Sequence, residues 1–229
     1  VHPYVLMNYT DSLDNMFTLA HEMGHALHTH YSNENQPYVY ADYKIFLAEV
    51  ASTLNEILLL HHLLENTDDV LKKKYLINHY LEQFRGTVFR QTMFAEFEKI
   101  IHEAAEAGQP LTAEFLNETY HRLNVEYYGP DIIIDEEIDL EWARIPHFYY
   151  NFYVYKYATG FSAATALANR ILEEGKPAVE SYLEFLKSGD SDYPLNILKR
   201  AGVDMSSPEP ISTAIATFKD FLKRFEDLL

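Results

Sequence analysis

Two histidines four residues apart, His21 and His25 in the stretch LAHEMGHALHTHY, constrain this chain more than any other feature in it. On a helix that spacing stacks the two rings one turn apart on one face. So placed, both can hold one Zn²⁺, and Glu22 beside the first can act on a water bound to the metal. The surroundings favour a helix: Leu13, Phe17, Leu19, Ala20, Ala26 and Leu27 supply apolar positions, and Asp11 or Ser12 offers an N-cap. Gly24 in its middle costs roughly 1 kcal/mol against alanine, which predicts that a bulky group or another backbone passes close by. A histidine-rich solvated helix is the bland alternative, and the apolar context argues against it.

The longer pattern His-Glu-x-x-His-x-x-Gly-x-x-His is excluded, because His28 stands at its glycine and Tyr31 at its third histidine. His28, one turn past His25, is expected behind the ligands or facing substrate, and His30 on the surface. A catalytic zinc keeps three protein ligands and an open position, so another segment must supply the third. The best source is YKIFLAEVASTLNEILLLHHLL, whose apolar content at helical spacing predicts a buried helix. Glu49 lies there among Phe46, Leu47, Val50 and Ala51, where an unpaired carboxylate is expensive. Zinc would relieve it; so would an ion pair with Lys44 or an arginine elsewhere. Glu56, two turns on, is either the ligand itself or the group that fixes a ligand imidazole. His61 and His62 are expected on the surface.

The remainder reads as almost wholly helical. A long segment starts near Asn66-Thr67-Asp68 and ends at Gly108-Gln109-Pro110, with Gly86 a break point. Another helix opens on an approximate capping box at Thr112 and stops at Gly129-Pro130. DIIIDEEIDLEW is expected as a loop carrying acidic residues. A helix over 152–174, two short ones and an amphipathic one over 211–228 complete the chain, and NQPYVYADY leaves room for a short hairpin. The fold class is therefore all-α, mainly helical, with at most a minor hairpin and one domain over 1–229.

Eighteen basic and 35 acidic residues give a net charge of −17, which argues against nucleic acid or an anionic membrane as partner. The chain has no cysteine, so neither disulfides nor thiol chemistry is implied, and a cytoplasmic origin is expected. No apolar run nears the ~20 residues of a membrane span. A start at Val1-His2-Pro3, without an initiator methionine or signal peptide, predicts a portion of a longer protein.

A second constellation lies in IPHFYYNFYVYKYATG, where His147 and Tyr149, Tyr150, Tyr153, Tyr155 and Tyr157 crowd together. Tyrosine hydroxyls are neutral donors near pH 7 and suit a developing oxyanion; an aromatic helix packed in a core accounts for the same pattern. Tyr150 and Tyr157, seven apart, are expected on one helical face. Gly160 is expected to admit a substrate backbone, and Arg144 to anchor structure.

HEMGHALH followed by FLAEVASTLNE resembles the thimet oligopeptidase/oligoendopeptidase F family of zinc metallopeptidases, and HPYVLMNYTDSLDNMFTLAHEMGHALHTHYS with EWARIPHFYYNFYVYKYATGFSAA is similar to its bacterial oligoendopeptidase F branch. The resemblance implies a zincin-type helical catalytic domain with one Zn²⁺ held by His21, His25 and Glu49, and Glu22 as general base. It also implies that His147, Tyr150 and Tyr157, with Tyr155 in reserve, face the scissile carbonyl; the glycines that relatives carry between that histidine and the tyrosines are absent here. Short unstructured peptides are the implied substrates. Residues 1–229 would be the C-terminal catalytic portion, lacking the N-terminal lobe of the same enzyme. The alternative is a zinc- and peptide-binding helical fragment inactive without that lobe.

Overall fold

The computed structural model describes residues 2–229. The α-helices among them are α1 (Leu13–Asn35), α2 (Ile45–Glu65), α3 (Val70–Phe84), α4 (Arg90–Glu106), α5 (Ala113–Tyr128), α6 (Tyr155–Glu174), α7 (Lys176–Leu186), α8 (Pro194–Arg200) and α9 (Glu209–Glu226). No strand occurs among the described residues, and the fold is all-α. None of these helices is long and apolar enough to cross a membrane. The chain divides into two compact units.

The first unit takes in the described residues up to Phe84 and then Thr159–Leu229. Its axis is α2, whose Leu47, Val50, Leu54, Ile57 and Leu60 are all buried. A helix apolar on every side must be wrapped by others, and α1 and α3 both pack on it. Tyr80 and Phe84 of α3 meet Phe161 of α6 and Phe221 of α9 in one aromatic cluster, the Tyr80 and Phe221 ring centres 4.4 Å apart. Ser12 is the N-cap of α1, its hydroxyl accepting the Asn15 N–H at 3.2 Å. Gly24 is where α1 and α2 come closest: a Cβ there would lie 2.5 Å from the Ser52 Cα, so the expected second backbone is that of α2.

The second unit, Arg85–Ala158, opens on a π-helical turn over Arg85–Phe89. Gly86 lies inside that turn, so the expected break is instead one loosened turn between two α-helices. Phe94 and Phe97 of α4 and Leu116, Tyr120 and Leu123 of α5 form its core with Ile145 and Val154. Buried Glu141 gathers Arg90, Arg144 and the Tyr120 hydroxyl, which gives Arg144 the anchoring role expected of it. Burial by itself would raise the Glu141 pKa, but Tyr120, Arg90 and Arg144 together hold the carboxyl below its usual value.

Several local expectations are corrected. NQPYVYADY makes no hairpin: it holds a 3₁₀ turn at Tyr38–Tyr40, and its polar groups bond elsewhere. The Gln36 side chain donates to the Lys187 carbonyl at 2.8 Å, and the Tyr40 carbonyl accepts the Asp190 N–H at 2.8 Å. The acidic stretch is a loop only as far as Asp135, then a 3₁₀ helix over Glu136–Arg144. Helix α6 starts at Tyr155 rather than at 152. His61 is half-buried, its ring centre 5.7 Å from that of Phe221, because α9 covers that side of α2.

Candidate metal centre

In the first unit the spacing within α1 brings the His21 and His25 rings to 4.8 Å, edge to face. Glu49 reaches them from α2, with its carboxylate Oε2 3.5 Å from His21 Nε2 and 4.0 Å from His25 Nε2. One ligand atom from each of the three lies within 4.8 Å of the others. A tetrahedral zinc with bonds near 2.0–2.1 Å sets its ligand atoms about 3.4 Å apart. Two imidazole nitrogens and a carboxylate oxygen are a donor set that suits that ion, and the three stand somewhat wider apart than it would hold them. Side-chain exposures of 27%, 28% and 23% leave one side of the cluster open, as a fourth, exchangeable position requires.

The approach of Glu49 depends on small neighbours. Gly24 lets the α2 backbone close on α1, and the buried Gly160 of α6 leaves room for Glu49: a Cβ at 160 would come within 3.3 Å of the Glu49 Cβ. Gly160 therefore accommodates the carboxylate's own stem rather than a substrate backbone. The Asn55 amide donates to the Ala20 carbonyl at 3.2 Å and ties α2 to α1 at the residue just before His21.

Glu56 fixes one imidazole. Its Oε1 lies 2.6 Å from His21 Nδ1, and its Oε2 accepts the Gln83 amide of α3 at 2.5 Å. Neutral His21 then donates through Nδ1–H, leaving the Nε2 lone pair toward Glu49. Burial by itself would lower the His21 pKa, but the hydrogen bond and charge of Glu56, joined by Glu49 and Glu22, raise it. Burial wins at His25, whose pKa is lowered against the pull of Glu49. Lys44, the other partner considered for Glu49, pairs instead with Asp190 at 2.8 Å.

Glu22 lines a cleft of about 540 Å³ together with His21, Glu56, Thr18 and Gln83. His28 does not reach it. The His28 ring is fully buried, stacked flat on Tyr43 at 3.6 Å, and burial pushes its pKa down to about 3. His28 is thus a neutral packing group rather than a substrate-facing one, while His30 is exposed as expected.

In the second unit the chain brings His147 and Tyr157 together, the Tyr157 hydroxyl 3.3 Å from His147 Nε2. Tyr153 completes the group, its ring centre 5.5 Å from His147 and 5.6 Å from Tyr157. Tyr150 is not on the helix with Tyr157: it lies in the bend before α6 and is exposed. The premise of a shared helical face therefore fails, because Asn151 and Phe152 adopt positive φ of 26° and 56°. Tyr153 was not singled out as a site residue in the sequence, since its approach to His147 depends on that reversal.

Gln83 was missed as well. It is 27 residues from Glu56 and no local spacing links them. The usable signal was Glu56 itself, a carboxylate in an apolar helix that needs donors for both oxygens.

The sequence model of Peptidase family M3 matches residues 1–217. The chain is 58% identical to the oligopeptidase PepF of Bacillus subtilis strain 168, covering 100% of this chain and 34% of that protein. It is 52% identical to the group B oligopeptidase PepB of Streptococcus agalactiae, covering 99% of this chain and 38% of that one. The crystal structure of oligoendopeptidase-F from Enterococcus faecium superposes with a TM-score of 0.84 at 50% identity, over 94% of this chain and 39% of that one. The chain thus spans little more than a third of the length of these relatives.

Proposed function

Because the chain belongs to peptidase family M3, we propose that residues 1–229 are the C-terminal catalytic portion of a zinc-dependent oligoendopeptidase. The observation that carries this reading is the convergence of His21, His25 and Glu49 within 4.8 Å, with Glu22 adjacent in the chain. In the proposal these three side chains hold one Zn²⁺. When bound, the ion supplies a Lewis acid for the peptide carbonyl and lowers the pKa of a water at its open position.

Glu22 accepts a proton from the attacking water and delivers it to the leaving amine. Glu56, held by Gln83, keeps His21 in the tautomer that offers Nε2. His147 and Tyr157 are the proposed donors to the carbonyl oxygen as negative charge develops on it, and Tyr150 reaches substrate from its exposed bend. Short unstructured peptides are the proposed substrates, with the part of the enzyme N-terminal to this portion as partner. A cytoplasmic setting suits a chain without cysteine.

A second reading, binding of zinc and peptide without turnover, is favoured by the one-third coverage of the relatives. Metal analysis joined to cleavage of a quenched fluorescent peptide separates the two. One zinc per chain with chelator-sensitive cleavage supports the peptidase; zinc without cleavage supports the second reading. Absence of zinc after reconstitution refutes both.

A further inference from the structure

Glu98 on α4 is a carboxylate only 1% exposed that the proposed chemistry does not use. Its Oε1 accepts the backbone N–H of Phe152 at 2.6 Å, across 54 residues of chain. Phe152 has φ of 56°, a left-handed conformation that a bulky side chain adopts only when its surroundings hold it there. One turn beyond Glu98 on the same face of α4, His102 tilts against the Phe152 ring with centres 4.6 Å apart. Phe152 is therefore gripped twice, at its backbone by Glu98 and at its ring by His102.

The other end of the bend is anchored by the same helix. Phe148 packs on Phe94 and Phe97 of α4, with ring centres at 5.7 and 5.3 Å. Between these anchors the chain reverses through Tyr149, Tyr150 and Asn151, and the residues just outside them, His147 and Tyr153, are drawn to 5.5 Å. Released from Glu98, Asn151 and Phe152 would relax to negative φ, and Tyr153 and Tyr157 would leave His147.

We propose that Glu98 is a positioning residue that holds the left-handed Asn151–Phe152 turn and so keeps His147, Tyr153 and Tyr157 together for the reaction. The proposal rests on the peptidase reading. It does not require Glu98 to touch substrate.

The test compares Glu98→Leu with Glu98→Gln, whose amide oxygen can accept the same N–H. Hydrogen exchange over 151–154, zinc content, and kcat and KM on the quenched peptide are measured for each. Trp142, the single tryptophan, bonded through its indole N–H to Asn117, reports whether this unit keeps its fold. Expected in Glu98→Leu are faster exchange at Phe152 and a kcat lower by roughly 100-fold, the scale that misplaced groups produce. KM, zinc content and Trp142 emission should hold. Glu98→Gln should restore slow exchange and most of kcat, because the accepting oxygen is retained.

Unchanged exchange in Glu98→Leu overturns the proposal. Faster exchange with unchanged kcat also overturns it, leaving Glu98 as a prop for the turn alone. A parent protein with zinc but no hydrolysis defeats the peptidase reading instead, and the exchange result then decides separately whether Glu98 holds the turn.

Discussion

The α1–α2 pair and the bend from His147 to Tyr157 each collect polar side chains around a point, by opposite means. In the first, helical pitch sets His21 over His25, and close helix packing at Gly24 and Gly160 brings Glu49 to them. Every backbone torsion there is ordinary. In the second, the grouping depends on two residues in left-handed conformation, held by a hydrogen bond from a distant helix. A site written in helical register tolerates side-chain replacement without losing its shape. A site written in a reversed turn depends on its anchors.

Four experiments bear on this contrast. The largest effect is expected for Glu22→Gln, which removes a proton-transfer group worth about 10²–10⁴ in rate without moving the helix that carries it. Zinc should stay bound, and parent-level hydrolysis would remove Glu22 from the mechanism. Next stand Tyr157→Phe and Glu56→Ala as a matched pair. Loss of the Tyr157 hydroxyl should lower kcat on the order of 100-fold, as for a single oxyanion donor, with zinc affinity unaltered. Loss of the Glu56 carboxylate should weaken zinc roughly 10- to 100-fold by freeing the His21 ring. Were both variants to lose metal, the two regions would not have separate tasks.

A third experiment uses acid. His28 has its folded pKa pushed down to about 3, below the ordinary 6.5. Between those values the unfolded chain binds a proton that the folded one refuses, so stability falls as pH drops through that window. The raised His21 pKa works in the opposite direction, favouring the fold on the acid side and losing that contribution as pH rises. Neither ring nitrogen of His28 has a partner, so His28→Phe sacrifices no hydrogen bond and can keep the stack on Tyr43. By denaturant titration it should be more stable than the parent by about 2 kcal/mol at pH 5, the free energy of a 1.5-unit distance from the unfolded pKa. At pH 8 the gain should vanish; the same gain at both pH values would exclude titration as its cause.

The smallest effect is expected for Gly24→Ala. The better helix former contributes about 1 kcal/mol, against roughly 1–3 kcal/mol for forcing a methyl into packed backbone. The Ser52 backbone cannot swing aside as a side chain would, so net destabilisation is expected, read as a lower melting temperature with weaker zinc retention. A stabilised variant would show that α1 and α2 are not locked at this point.

Most of the α1–α2 geometry was legible in sequence because its information is local. The His21–His25 spacing, Glu49 in an apolar helix, Glu56 two turns later and the unusual Gly24 all keep their meaning once the chain is helical. The helical fold class was equally legible from apolar spacing. Long-range bonds hid the rest. Nothing near Gln36 predicts that its amide reaches Lys187, so the sequence alone leaves room for a hairpin there. Nothing near Phe152 predicts Glu98, so the sequence alone starts the helix at 152 and places Tyr150 on one face with Tyr157. His61 was expected on the surface because α9, which covers it, is remote in sequence.

The Gly24 contact also bears on how such sites are searched for. In the five-letter pattern His-Glu-x-x-His the two middle letters look interchangeable, yet here they are not equivalent. Met23 is exposed and meets no such limit, whereas residue 24 faces backbone with no space for even one carbon. In the proposed zinc site, a third ligand delivered by the short stem of Glu49 from α2 demands that the two helices nearly touch. If Glu49 is the third ligand as proposed, the informative query for this helix pair is His-Glu-x-Gly-His, because a larger fourth letter would push α2 and its glutamate away.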